Sequence, residues 1–173
     1  MKIYDILKQE HEELKNLLIE LLALKEDDEY RFVLVGEIKN ALLPHARAEE
    51  ATLYNTIRAV DADKSIVEHS FKEHLEAESL LRLLEVKDKA NFDWRATATK
   101  LKTALEHHIQ DEESRVFIEA KKIFSDDEAE AIGEAFLKLK PSYIGNGVVK
   151  NAADLVINML PPRLADSVRG LRS

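Results

Sequence analysis

A single offset constrains this chain more than any other feature. Sliding the sequence along itself by 63 positions lays LLPHARAEEATLY (42–54) on LEHHIQDEESRVF (105–117), and EHEELKNLL (10–18) on EHLEAESLL (73–81). His11 then meets His74, His45 meets His108, Glu49 meets Glu112, Glu10 meets Glu73, and Tyr54 meets Phe117. In each half the first histidine precedes the second by 34 residues. Such a chain reads as two copies of one helical hairpin. Each copy carries a His on its first helix and a His-x-x-x-Glu on its second.

The elements around these motifs are helical. With only 5 Gly and 4 Pro in 173 residues, and Ala, Leu, Glu and Lys abundant, breakers are scarce and helix formers plentiful. Apolar residues at three–four spacing predict helices from about Ile3 to Lys25, Tyr30 to Val60, Ile66 to Leu84 and Trp94 to Phe124. Pro44 falls inside the second helix, where loss of a backbone hydrogen bond predicts a kink directly before His45. EDDE (26–29), DADKS (61–65) and VKDKANFD (86–93) are the connections. Four helices with links this short predict an all-α, up-down-up-down four-helix bundle over residues 1–124. Ser125 with Glu128 forms a capping box that starts a fifth helix, ending near Lys140. SYIGNG (142–147) is a break, Val148–Leu160 a sixth helix, and PPRLADSVRGLRS (161–173) a loosely ordered tail. Residues 125–173 are thus expected as a helical extension packed on the bundle. DLVINML (154–160) is apolar enough to dock within the chain, or failing that to join two copies as a homodimer.

Residues i and i+4 share a helix face, so His45 projects with Glu49 and His108 with Glu112. Both pairs continue apolar stripes, and His11 and His74 lie on the stripes of their own helices. Four histidines and two glutamates therefore occupy core positions. Unpartnered buried carboxylates are very costly. Two metal ions would satisfy the set, with the histidines as terminal ligands and the carboxylates shared. Imidazole with carboxylate suits iron, manganese or zinc. Iron is the choice here, because this donor set supports redox chemistry with oxygen species.

EH (10–11), HARAEE (45–50), EH (73–74) and HIQDEE (108–113) together resemble the hemerythrin-like, or HHE, family of non-haem di-iron four-helix proteins. The resemblance spans residues 3–124. It implies that His11, His45, His74 and His108 ligate iron, that Glu49 and Glu112 bridge two irons, and that an oxo or hydroxo group completes the bridge. The invertebrate oxygen carriers of the family have a fifth histidine where this chain has Ser70, and a carboxylate five rather than four residues after the last histidine. One ligand fewer leaves positions open for O₂, peroxide or NO. It shifts the expectation from reversible oxygen carriage toward binding or turnover of such a molecule, including peroxide-degrading or ferroxidase activity. Iron storage, sensing without turnover, and a metal-free helical interaction protein are the alternatives.

Other residues are expected at the margin. His107 lies about 100° from His108, and His69 about 140° from His74, so both read as peripheral. Glu78, one turn after His74, is a weak ligand candidate. Glu10, Glu50, Glu73 and Glu113 recur in the repeat, either to orient histidines or as a solvated acidic flank. A net charge of −8 disfavours nucleic acid and anionic membranes as partners. No apolar run reaches a membrane span of about 18 residues. The opening MKIYDILKQEHEEL carries acids where a secretion signal needs an apolar core, so a cytoplasmic location is expected. The absence of cysteine excludes disulfides and thiolate chemistry.

Overall fold

The computed structural model describes residues 1–60, 65–86, 92–144 and 152–171. Four long helical stretches form the bundle. The first is α1 (Ile3–Ala23). The second is α2 (Arg31–Glu49), continued by a π-helical turn (Glu50–Tyr54) and α3 (Asn55–Val60). The third is α4 (Ser65–Leu84). The fourth is α5 (Trp94–Asp111), continued by a second π-helical turn (Glu112–Val116) and α6 (Phe117–Ile123). Asp93 caps α5 by accepting from the Ala96 N–H. Among the described residues no helix is long and apolar enough to cross a membrane.

The second and fourth helices are not the uninterrupted α-helices that periodicity predicts. The α-helical run includes Pro44 and gives way to a π-helical turn at Glu50. There the Asn55 N–H reaches the Glu50 carbonyl, and at the equivalent place the Phe117 N–H reaches that of Glu112. These are i→i+5 bonds, each widening the helix by one residue directly after His-x-x-x-Glu. Such turns recur at functional sites.

Three further helices follow: α7 (Asp126–Leu139), α8 (Ala152–Met159) and α9 (Pro162–Gly170), with a 3₁₀ turn (Lys140–Tyr143) after α7. The capping box starts α7 as its sequence dictates: the Glu128 N–H donates to Ser125 Oγ, and the Ser125 N–H to Glu128 Oε2. The tail expected to be loose is helical. Pro162 occupies the first turn of α9, where its missing N–H costs nothing, and Leu164, Ala165 and Val168 are buried. Val156, Ile157 and Leu160 of the apolar DLVINML stretch are buried in the same cluster. Residues 61–64, 87–91, 145–151 and 172–173, which include parts of three of the connections read from sequence and the start of the sixth helix, lie outside the described residues.

The core has two apolar halves. One gathers Leu14, Leu18, Leu21, Ile38, Leu42, Leu81, Leu101 and Leu105 at the end nearest Trp94. The other gathers Ile3, Leu7, Leu53, Tyr54, Ile57, Val116 and Phe117 with Phe136, Leu139, Val156 and Leu164 from the extension. On each of the four long helices the histidine falls between the residues of the two clusters. The polar layer is therefore sealed by hydrocarbon on both sides.

Candidate metal centre

The six residues read from helical phase are brought together. His11, Glu49 and Glu112 are fully buried, and His45, His74 and His108 nearly so. On one side the rings of His74 and His108 lie 4.6 Å apart. On the other, His11 and His45 lie 5.3 Å apart. The carboxylates reach across: His11 Nε2 is 3.2 Å from Glu112 Oε2, His74 Nε2 is 3.4 Å from Glu49 Oε2, and His45 Nε2 is 3.7 Å from the same Glu49 oxygen. Glu49, His74 and His108 also present donor atoms within 4.8 Å of one another, a spacing one ion can span.

Each histidine is held from behind by a carboxylate. The Nδ1 atoms of His11, His45, His74 and His108 bond to Glu113 (2.9 Å), Glu10 (2.9 Å), Glu50 (3.0 Å) and Glu73 (3.0 Å). An ionised carboxylate only accepts, so Nδ1 carries the proton and the neutral ring turns its Nε2 lone pair inward. The four carboxylates are the repeated glutamates, so their role is orientation rather than a solvated flank. They obey the internal repeat: His45–Glu10 becomes His108–Glu73, and His11–Glu113 becomes His74–Glu50.

This geometry leaves an electrostatic problem inside. His74 Nε2 and His108 Nε2 sit 3.1 Å apart, and with both Nδ1 atoms protonated these are two lone pairs facing each other. His11 Nε2, both oxygens of Glu49 and Oε2 of Glu112 are buried without a hydrogen-bond partner. Such groups each cost on the order of 1–3 kcal/mol. The carboxyl groups respond as a coupled pair. Burial, then the charge of Glu112, pushes Glu49 far above the carboxylate range. Glu112 is buried too, but the proximity of His11 and Glu49 and the charge of His108 hold it low. Burial likewise lowers His45 to about 4 against the pull of Glu10, whereas Glu112 outweighs burial at His11 and raises it. Inward lone pairs, orphaned oxygens and pinned tautomers are what a cation-binding layer requires.

The halves differ beside the carboxylate pair. Tyr54 donates to Glu112 Oε1 at 2.9 Å. Burial, together with the charges of Glu112 and Glu49, raises its hydroxyl pKa well above the usual value. Phe117, its counterpart, has no hydroxyl and stacks on His11 at 6.3 Å. Ser70, buried one turn before His74, is within hydrogen-bond reach of Tyr54.

Two groups near the site escape a reading of motifs. Phe136 of α7 meets the edge of His45 at 6.1 Å, and Lys140 pairs with Glu10 at 2.8 Å. Phe136 belongs to the periodic apolar face of α7, but nothing local ties either residue to a histidine nearly a hundred positions earlier. Glu78 is drawn away from the histidines, 2.5 Å from both Arg47 and Arg82. Trp94 bonds to the Glu26 carbonyl in the far apolar half rather than shaping the site. The side chains of His69 and His107 are 52% and 69% exposed, so neither faces the interior.

Comparison with known proteins bears on the family and the fold. The sequence pattern described as the Hemerythrin HHE cation binding domain matches residues 2–120. No curated protein matches the chain. A crystal structure of a hemerythrin HHE cation binding domain-containing protein from Mycobacterium kansasii superposes with a TM-score of 0.72 at 22% identity, covering 96% of this chain and 99% of the other. That coverage extends the shared fold into the C-terminal helices. The chain belongs to the hemerythrin HHE cation-binding family.

Proposed function

We propose that this protein holds two iron ions in the buried layer and uses them to bind or turn over a small oxygen species: O₂, peroxide or NO. His11 and His45 serve one ion, His74 and His108 the other, and Glu49 and Glu112 are shared. The observation that carries this reading is the pinned tautomer of all four histidines around unpartnered carboxylates. Iron, when bound, supplies one-electron redox chemistry and open coordination positions for a small ligand.

The chain's own residues supply the rest. Glu113, Glu10, Glu50 and Glu73 hold each imidazole proton at Nδ1 and so keep each Nε2 free to coordinate. Tyr54 fixes one oxygen of Glu112 and offers it a hydroxyl proton. Leu7, Leu14, Leu42, Leu53 and Leu105 wall the layer with apolar surface that keeps bulk water from the ligands.

The test is metal analysis with an optical spectrum after anaerobic ferrous reconstitution. Two irons per chain, with near-ultraviolet charge-transfer absorption of ferric iron after air is admitted, are expected. Protein that stays iron-free after this treatment sinks the reading. Adding peroxide then separates the classes. Sustained oxygen evolution marks an enzyme, and a stoichiometric spectral change without turnover marks a sensor or store.

A further inference from the structure

The four carboxylates that hold the histidines each have a second side, and three of them face a permanent cation there. Glu10 meets Lys140 at 2.8 Å, Glu50 meets Arg47 at 3.2 Å, and Glu113 meets Lys8 at 3.9 Å. Glu73 is different. Its Oε1 lies 2.9 Å from His107 Nδ1 and 3.2 Å from His69 Nε2, while its Oε2 accepts from His108 Nδ1. Where its equivalents have lysine or arginine, Glu73 has two imidazoles.

We infer that His69, Glu73 and His107 form a second cation site, on the outer face of α4 and α5, which takes a divalent first-row transition ion. Three donors lie within 4.8 Å of one another and come from two helices already packed side by side. Ligand atoms about 2.0–2.2 Å from a tetrahedral ion stand roughly 3.3–3.5 Å apart, so the contacts present need only small side-chain adjustments. Two imidazoles and one carboxylate are a donor set for zinc, cobalt or ferrous iron, not for calcium or magnesium. His107 coordinates through Nδ1 by passing its proton to the other ring nitrogen through solvent. Access is open: a surface cavity of about 470 Å³, lined by Glu73, Glu76, Thr103 and His107, borders the site. An ion there gives Glu73 the positive neighbour that Lys140, Arg47 and Lys8 give its equivalents. It stands one carboxylate away from His108, whatever the buried layer holds.

The test uses the full chain, stripped of metal and titrated with Co²⁺ while visible absorption is followed. His69→Ala/His107→Ala is expected to bind one cobalt fewer per chain than wild type, and to lose the bands of that ion only. Equal stoichiometry in the two proteins overturns the site. A second measurement needs no substitution. Zn²⁺ added to ¹⁵N-histidine-labelled wild type is expected to shift the ring nitrogens of His69 and His107. Shifts confined to His11, His45, His74 and His108 overturn the proposal while leaving the buried centre standing. Shifts confined to His69 and His107 support it and count against the buried centre.

Discussion

The Tyr54 hydroxyl donates a 2.9 Å hydrogen bond to Oε1 of Glu112, and no hydroxyl stands at the equivalent place beside Glu49. Two nearly identical half-sites are thereby made unlike. Tyr54→Phe removes the donor and leaves a buried acceptor unmatched, at about 1–3 kcal/mol in the metal-free protein. In a chain of this size that is a fall of roughly 2–10 °C in Tm. Metal content is expected to be retained. Calorimetry on the stripped protein checks it, and an unchanged Tm counts against the bond.

Adjacent histidines have opposite fates. His108→Ala deletes an inward donor and is expected to abolish the optical signature of the buried centre. His107→Ala is expected to leave that signature in place. The comparison is made on iron-reconstituted protein. Equal loss in both variants refutes the phasing of α5.

The carboxylates behind the four histidines matter although they never face the interior. Glu113→Gln and Glu50→Gln keep the shape but weaken the acceptor opposite His11 and His74. A fall of about 10–100-fold in metal affinity is expected for each. Glu12→Gln, whose carboxylate pairs with Lys15 at the surface, is the control and is expected to bind like wild type. Competition with a chelator reads all three.

Helix α7 lies on the start of α1 with no room between them. A Cβ at Gly133 would stand 2.6 Å from the Met1 carbonyl oxygen and 3.1 Å from the Ile3 N. Backbone cannot swing aside as a side chain can. Gly133→Ala is therefore expected to destabilise by about 1–3 kcal/mol in urea denaturation. A neutral result would show that α7 can shift freely on α1.

Glu128 ties α7 to α9. It completes the capping box, accepts from Arg163 Nε and Nη2 at 2.8 Å each, and is held below the usual carboxylate range chiefly by Arg163. A lowered pKa means the folded state releases the proton more readily than the unfolded chain. Its contribution is complete above about 4.5 and fades as pH falls through the folded value. Arg163 is about half exposed, so solvent screens the pair and the expected loss in Glu128→Gln at neutral pH is about 1 kcal/mol. Tm profiles of the two proteins are expected to converge below pH 4.5. A constant gap contradicts the ionic origin.

Helical phase made His11, His45, Glu49, His74, His108 and Glu112 legible, because a polar residue on an apolar stripe is visible in a single sequence. The 63-residue offset also marked Glu10, Glu50, Glu73 and Glu113. It did not reveal which glutamate serves which histidine, since those bonds cross between helices. The π turns at Glu50 and Glu112 left no trace: no Gly or Pro lies within them. The C-terminal stretch departs from its sequence reading. It was expected as a loose tail, yet Pro at the first turn begins a helix, and Leu164, Ala165 and Val168 already had helical spacing. Lys140 and Phe136 reach the site by tertiary folding alone.

The pairing of histidines with carboxylates has a consequence for how the chain can be divided. His45–Glu10 and His108–Glu73 are made within one hairpin, but His11 depends on Glu113 and His74 on Glu50 from the other. Cut between α3 and α4, each fragment keeps one histidine correctly aimed and one without its anchor. Two copies of either fragment, set about a two-fold axis, would restore what each lacks. The single chain thus has the logic of an isologous dimer whose subunits have been joined end to end.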